Sequence, residues 1–261
     1  MNGRETFVVG IDWVDGWPVV DEGWFAVPRV DTAFVDTFSG ELDLRWVSPG
    51  RTHWDLVSAA AGGVGGVVVA PAIMGASGDG VPGDGQGGGD GGVRPALCVR
   101  ARDAGWRASA RFAGTDAVHG TYLDTDHWVE LRVAGGRAVA EVGVAGLRHV
   151  LADVAVDDGA AGDGSPVDGE AGVSEARDGE LDLWCAAIPF SDSPYAQGGP
   201  DQVVLGLRTG DGVDVEIARI DGRLLSTEVA GGFTGRMIGV RAAPGGAPVT
   251  LTRFAYAPAD D

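Results

Sequence analysis

Two short segments carry acidic residues at a spacing that cleavage of a glycosidic bond can use. Residues 180–185 (Glu-Leu-Asp-Leu-Trp-Cys) and 41–46 (Glu-Leu-Asp-Leu-Arg-Trp) repeat the first two acids of a Glu-x-Asp-x-x-Glu strand. In that motif one carboxylate attacks the sugar and the last glutamate donates a proton to the leaving oxygen. Cys185 and Trp46 occupy the position of the proton donor. We therefore predict surface carboxylates beside a turn, no catalytic residue, and no self-sufficient glycanase.

Other residue types that support catalysis or metal binding lack the required spacing. The histidines form neither an i, i+4 pair nor a cluster with cysteine, which argues against zinc. Cys98 and Cys185 are far apart in sequence, so we predict two buried thiols without a disulfide framework. Asp124-Thr125-Asp126 predicts a hairpin turn capped by its own acids, with calcium binding as the open alternative. No metal and no cofactor is predicted.

The charge of the chain limits its partners. It has 38 acidic and 19 basic residues and a formal net charge of −19, so a phosphate backbone would be repelled and nucleic acid is not an expected partner. No segment approaches the roughly 18 consecutive apolar residues that a membrane span requires. The N-terminus has no apolar signal core, so we expect a cytoplasmic protein unless an export signal lies upstream.

The elements that would position any site are predicted to be short strands. The 45 glycines and 13 prolines, with 44% hydrophobic residues, favour an all-β class. Residues 33–38 alternate like a strand, and after a turn at 39–40 we predict that Leu42, Leu44 and Trp46 share one face of the next run. Further strand-like runs occupy 96–99, 107–112, 127–133, 138–144, 203–207, 213–220, 237–240 and 249–256.

Three segments fall outside this pattern. Residues 75–92 and 157–179 have almost no bulky apolar side chains, so we predict two low-complexity surface insertions that bury little. Residues 1–29 are predicted to be extended, and their tryptophans Trp13, Trp17 and Trp24 need an apolar surface to cover. The predicted organisation is thus an extended segment at 1–29 followed by one sandwich domain at 30–261.

Several of these segments, taken in order, resemble one family. They are 3–6 (Gly-Arg-Glu-Thr), 13–19 (Trp-Val-Asp-Gly-Trp-Pro-Val), 34–38 (Phe-Val-Asp-Thr-Phe), 42–46 (Leu-Asp-Leu-Arg-Trp), 225–228 (Leu-Ser-Thr-Glu), 232–235 (Gly-Phe-Thr-Gly) and 253–256 (Arg-Phe-Ala-Tyr). Together they resemble the C-terminal part of family 43 glycoside hydrolases, the β-xylosidases and α-L-arabinofuranosidases. Those enzymes join a five-bladed propeller to a concanavalin A-like sandwich.

The resemblance implies both a fold and a role. The expected fold is an antiparallel jelly-roll (concanavalin A-like) β-sandwich. The family's catalytic acids belong to the propeller and cannot be assigned to any residue here, so the chain alone is expected to be inactive. Trp13 and Trp17 would dock on a propeller, in cis or in trans. Phe233 would help to wall the pocket that takes the terminal sugar of a xylo- or arabino-oligosaccharide, with core packing as its structural alternative.

A second function stays open from the sequence. An independent lectin-like module could hold xylan-type glycans on exposed aromatic side chains. Trp54 and Trp106 are the candidate platforms, although packing in the core or an interface is the role we expect for each.

Overall fold

The computed structural model describes residues 9–21, 23, 30–48, 57–60, 65–70, 97–157, 173–174, 179–190, 201–232 and 234–259. Within these ranges the helical elements with described bounds are a 3-10 turn, Gly222–Leu225, and one short helix, α1 (Thr227–Ala230). The all-β prediction is confirmed. The predicted insertion at 75–92 lies outside the described residues, as does most of 157–179. None of the described helices is long and apolar enough to cross a membrane.

The strands form two large sheets and one small one. The strands are β1 (Gly10–Val14), β2 (Trp17–Asp21), β3 (Phe34–Asp36), β4 (Val57–Ala59), β5 (Val67–Val69), β6 (Leu97–Arg100), β7 (Trp106–Ala113), β8 (Ala117–Tyr122), β9 (Trp128–Ala134), β10 (Arg137–Val144), β11 (Leu147–Asp157), β12 (Val173–Ser174), β13 (Glu180–Pro189), β14 (Asp201–Arg208), β15 (Asp214–Asp221), β16 (Met237–Ala242) and β17 (Val249–Pro258). A seven-stranded sheet has the order β12-β11-β10-β9-β8-β16-β6, and an eight-stranded sheet has the order β15-β14-β13-β7-β17-β5-β4. Strand β3 pairs with β17, and β1 and β2 form a separate hairpin. Of these pairs, only β11 with β12 is parallel.

The two large sheets pack face to face around one apolar core. Every second residue of the long strands points inward, as the period of two requires. His119 of β8 lies 3.3 Å from the sulfur of Cys185 of β13, and its ring meets Phe254 of β17 edge-on at 6.0 Å. These contacts join the seven-stranded sheet to the eight-stranded sheet. The β-sandwich is therefore confirmed, while the jelly-roll winding stays a prediction.

Tryptophans also cover the outward faces of both sheets. The indole of Trp184 lies across Gly206 on the neighbouring strand, and the guanidinium of Arg107 stacks over the ring at 4.2 Å from its centroid. The indole of Trp128 lies in the same way across Gly143 of the other sheet. A β-carbon at either glycine would collide with the ring, so these glycines are needed for close approach.

One predicted strand is wrong. The alternation of Leu42, Leu44 and Trp46 is interrupted by a tight turn, in which Asp43 accepts hydrogen bonds from the backbone N–H groups of Arg45 (2.9 Å, to the side chain) and Trp46 (3.0 Å, to the carbonyl). Leu44 is 97% exposed and Trp46 is buried. The local hydrogen bonds of an Asp side chain outweighed the apolar alternation. The other predicted runs lie in strands to within a residue at their ends, whereas β4, β5, β8, β11, β12 and β13 were not predicted.

Candidate functional site

The N-terminal hairpin presents apolar side chains on both of its faces. Its strands are joined by Asp15-Gly16, whose φ values of 50° and 82° give the left-handed backbone that suits a two-residue hairpin loop. Trp13 pairs with Pro18, whereas Trp17 pairs with Val14 in the next register position. Adjacent pairs point to opposite faces of a two-stranded sheet.

The two predicted docking residues are therefore exposed but do not share a face. Trp13 is 70% exposed and Trp17 is 75% exposed. Ile11 and Val20 lie on the face of Trp13 and are also exposed. Asp12 lies on the opposite face, together with Trp17. A flat partner surface could cover only one of the two indoles. A partner that covers both must contact the hairpin from two sides.

The sandwich begins at an end held by a partly buried hydroxyl network. Thr32 and Tyr256 both donate hydrogen bonds to the carboxylate of Asp103, at 2.6 and 2.7 Å. The Tyr256 oxygen in turn accepts from the backbone N–H groups of Arg102 and Asp103, at 3.0 and 3.1 Å. Burial raises the pKa of Tyr256, so it stays a neutral donor. We call this end of the sandwich the anchored end, since the chain enters the domain here.

Residues 222–236, which we call loop 222–236, lie at the anchored end. The backbone N–H of Ala101 donates to the carbonyl of Arg236 at 3.1 Å, directly beside the Asp103 network. The loop begins after Asp221, whose carboxylate caps the 3-10 turn by accepting from Arg223 N at 2.9 Å. It then contains α1 and a tip in which Gly231 and Gly232 have φ values of 74° and 79°.

A buried ion pair holds the two ends of this loop. The guanidinium of Arg236 donates to the carbonyls of Leu225 (2.7 Å) and Gly222 (2.6 Å). It also donates to both carboxylate oxygens of Asp201, with 3.0 Å to Oδ1. The side chains of Arg236 and Asp201 are 1% and 2% exposed. The sequence analysis missed both residues, which are far apart in the chain and belong to no recognisable motif.

Phe233, the predicted substrate-contacting residue, lies outside the described residues. Its neighbours Gly232 and Thr234 are exposed, and Gly235 is buried. The structure thus places the positions that flank Phe233 at the anchored end, where the chain also enters from the N-terminal segment.

The partial acidic motif in β13 cannot form a catalytic pair. Strand β13 pairs with β7 and β14 without a register shift along residues 180–187, so Asp182 and Cys185 point to opposite faces. Cys185 faces the core, and a glutamate there could not join the outward acids. Asp182 is bound by Arg111 at 3.0 Å and is buried, which corrects the expectation of a surface carboxylate. In the other segment, Arg45 lowers the pKa of Asp43 to about 2.

The buried His119 and Cys185 do not form a nucleophilic pair despite their contact. Burial lowers the pKa of His119 to about 4 and raises the pKa of Cys185 to about 12. Both groups are therefore neutral near pH 7, and the thiolate needed for attack is not available. Cys98 and Cys185 are free and buried, as predicted.

The remaining candidates have structural roles. Asp124 accepts from the backbone N–H groups of Asp126 and His127 at 2.8 and 2.7 Å, which confirms the capped turn. No group of three or more acidic, histidine or cysteine side chains in the described ranges could hold a metal ion. Trp106 is 2% exposed and packs in the core, so it is not a glycan platform. Trp54 lies outside the described residues.

Comparison with known proteins gives the fold of the chain. No family model and no curated protein matches the sequence. The Bacteroides ovatus xyloglucan PUL GH43B structure superposes with a TM-score of 0.65 at 18% identity, over 98% of this chain and 48% of its own. The GH43 BlXynB protein from Bacillus licheniformis gives 0.61 at 16% identity, over 98% and 47%. An engineered GH43 glycoside hydrolase, described as displaying both endo-xylanase and exo-arabinofuranosidase activity, gives 0.59 at 14% identity, over 99% and 50%.

These matches share one property. The chain spans about half the length of each enzyme that it matches. It therefore has the fold of one part of these glycoside hydrolases.

Proposed function

We propose that this chain is the accessory sandwich domain of a family 43 glycoside hydrolase of the β-xylosidase or α-L-arabinofuranosidase type. The observation that carries the proposal is the match over nearly the whole chain to about half of several GH43 enzymes. The partial acidic motif of β13 supports it, since Asp182 is bound by Arg111 and points to the face opposite Cys185. The catalytic acids would come from a propeller, in the same chain or a separate one.

The hairpin β1–β2 would dock on that propeller. A two-stranded hairpin is marginally stable in water by itself. Trp13 and Trp17 expose large apolar surfaces on opposite faces, and such surfaces mark interaction sites. A partner that receives the hairpin between two layers would cover both indoles.

Loop 222–236 would help to form the active-site pocket. Its tip lies at the anchored end, and the residues on each side of Phe233 are exposed. An aromatic ring presented there would give the pocket a rigid apolar wall at low entropic cost and would exclude water from the terminal sugar.

Reconstitution with a propeller tests this proposal. The purified chain is mixed with propellers encoded in the same genome, beginning with any reading frame upstream of Met1. Hydrolysis of 4-nitrophenyl β-D-xylopyranoside and α-L-arabinofuranoside is then measured. We expect hydrolysis only from a complex of the two proteins, and Trp13→Ser should weaken that complex. Leu44→Ser is the matched control, because Leu44 is even more exposed than Trp13 but lies on the sandwich.

Two results would contradict the proposal. Hydrolysis by the chain alone would show a catalytic site that the carboxylates do not suggest. Failure to bind any propeller, together with binding of xylo-oligosaccharides by the chain alone, would favour the independent lectin-like module.

A further inference from the structure

We infer that Asp201 and Arg236 are positioning residues, which hold loop 222–236 so that Phe233 can reach the substrate pocket. The inference rests on the proposed function. It concerns which residues fix the position of Phe233, and not whether Phe233 forms part of the pocket.

The hydrogen bonds of Arg236 are suited to holding a loop. Its Nε binds the carbonyl of Leu225, and its Nη2 binds the carbonyl of Gly222, so one planar group holds both ends of the 3-10 turn. Asp201 holds the same guanidinium by both carboxylate oxygens. A guanidinium presents its donors in a fixed fork, whereas the ammonium of lysine rotates and cannot match several acceptors in one plane.

The backbone at Gly222 packs closely against the ion pair. A β-carbon on Gly222 would collide with Oδ1 of Asp201 and would lie 2.9 Å from Nη2 of Arg236. Gly222 therefore lets the backbone approach the ion pair closely. Arg236 is only three residues after Phe233 and is the last residue of the loop. Because its side chain binds the start of the loop, Arg236 connects the two ends of the loop.

A second buried ion pair, between Arg241 and Glu130, differs from the pair of Arg236 and Asp201 in the part of the structure that it holds. Arg241 of β16 donates to Glu130 of β9, and Tyr122 of β8 donates to the same carboxylate at 3.0 Å. All three residues lie in strands that backbone pairing already holds in register. Arg236 instead binds carbonyls of the 3-10 turn, outside any strand. Loss of Arg236 should therefore release a loop, while loss of Arg241 should only destabilise a sheet.

The experiment uses the complex of the full chain with its propeller. We compare Arg236→Lys, Asp201→Asn and Phe233→Ala, each alone, and Arg236→Lys combined with Phe233→Ala. We expect each single variant to lower kcat/KM by about ten- to a hundredfold, the range expected when a group near the reacting centre is displaced. The combined variant should be no worse than Phe233→Ala alone, because the ion pair acts through that ring.

Arg241→Lys is the matched control. It weakens an equally buried pair and should lower the thermal stability, but kcat/KM of the complex should change less than twofold. Amide hydrogen exchange of the isolated chain gives a second readout. Asp201→Asn should speed exchange in α1 and at Gly231 and Gly232, while exchange in β16 stays unchanged.

The outcomes separate the inference from the proposed function. If Phe233→Ala has no effect on kcat/KM, the pocket wall is rejected. If Phe233→Ala lowers kcat/KM but Arg236→Lys does not, or if the two effects add in full, the positioning role is rejected and the wall is retained. If neither Arg236→Lys nor Asp201→Asn folds, the pair is required by the sandwich itself, which also overturns the positioning role.

Discussion

Tryptophan has opposite surroundings in the N-terminal hairpin and in the sandwich. Trp13 and Trp17 of the hairpin are 70% and 75% exposed, whereas Trp106 and Trp128 of the sandwich are each 2% exposed. All four residues lie in or beside strands with alternating apolar neighbours. The residue type and the strand pattern therefore do not decide burial.

The difference comes from the number of layers. In the sandwich, each sheet covers the inner face of the other, and tryptophan and arginine side chains cover parts of the outer faces. The hairpin has one layer of two strands and carries apolar side chains on both faces, and no second sheet among the described residues pairs with it. The sandwich thus completes its own core, while the apolar side chains of the hairpin stay exposed among the described residues.

Replacing one tryptophan by alanine in each region should give the largest difference in the free energy of unfolding between the two regions. Trp106→Ala should lower the free energy of unfolding of the isolated chain by about 3–5 kcal/mol, because it leaves a cavity in the core. Trp13→Ala should change it by less than about 0.5 kcal/mol, as expected at an exposed position. Urea denaturation followed by far-ultraviolet circular dichroism measures both values. A large loss for Trp13→Ala would mean that the hairpin packs on the isolated sandwich.

Acid should act on the sandwich through His119. Burial lowers its folded-state pKa from 6.5 to about 4, so the unfolded chain binds a proton first as the pH falls. This stabilisation is fully present above about pH 6.5 and is lost as the pH falls towards 4. From that shift we expect a loss of about 3 kcal/mol.

His119→Gln is the comparison for this pH dependence, because glutamine stays neutral and can still form hydrogen bonds. The free energy of unfolding is measured near neutral pH and near the lowered pKa for both proteins. The difference between the two pH values should be smaller in the variant. An equal difference would show that other groups cause the acid sensitivity. The hairpin has no histidine, so it contributes nothing to this effect.

Replacing one glycine by alanine in each region should separate the effect of a steric clash on stability from the effect of backbone conformation. Gly120 of β8 has no space for a β-carbon, which would lie 2.7 Å from Cα of Glu130, so Gly120→Ala should destabilise the sandwich by about 1–3 kcal/mol. Gly16 has open space but a φ of 82°. Gly16→Ala should cost about 1 kcal/mol within the hairpin only.

The two glycine variants need different measurements. Global urea unfolding should detect Gly120→Ala and leave Gly16→Ala unchanged. Nuclear magnetic resonance of the Trp13 and Trp17 indole N–H groups should detect a less populated hairpin in Gly16→Ala. A global loss of stability in that variant would show that the hairpin and the sandwich unfold as one unit.

An exposed ion pair on the sandwich should give the smallest effect. Arg137 and Asp153 lie 2.7 Å apart on neighbouring strands and are about half exposed. Asp153→Asn should cost at most about 1 kcal/mol, because solvent screens such pairs. The cost should shrink further in high salt. A cost that persists in salt would indicate that this pair holds the sheet edge more firmly than its exposure suggests.

The sequence predicted much of the fold because strand signals are local. Alternation of apolar and polar residues identified strands such as β7, β9 and β10, and glycine or aspartate marked the turns between them. It failed at 42–46, where the carboxylate of Asp43 binds the backbone and bends the chain. It also missed β11, whose charged residues obscure the alternation.

The candidate site was predicted only in part. The segment around Phe233 was predicted because its residue types resemble those of a known family, and its role stays a prediction. Asp201 and Arg236 were not found, since a charged residue far from any motif is usually predicted to be on the surface. The buried guanidinium of Arg236 binds two backbone carbonyls of the loop, and no local sequence pattern predicts these contacts.

The sequence alone determined the all-β class and many of the strands, because both follow from residues close together in the chain. Only the tertiary structure decided which tryptophans form a core and which remain exposed. It also decided that Asp201 meets Arg236 across 35 residues to hold loop 222–236. The physical reason is that burial and ion pairing depend on which layers meet, and that meeting is set by strand order and register rather than by neighbours in sequence.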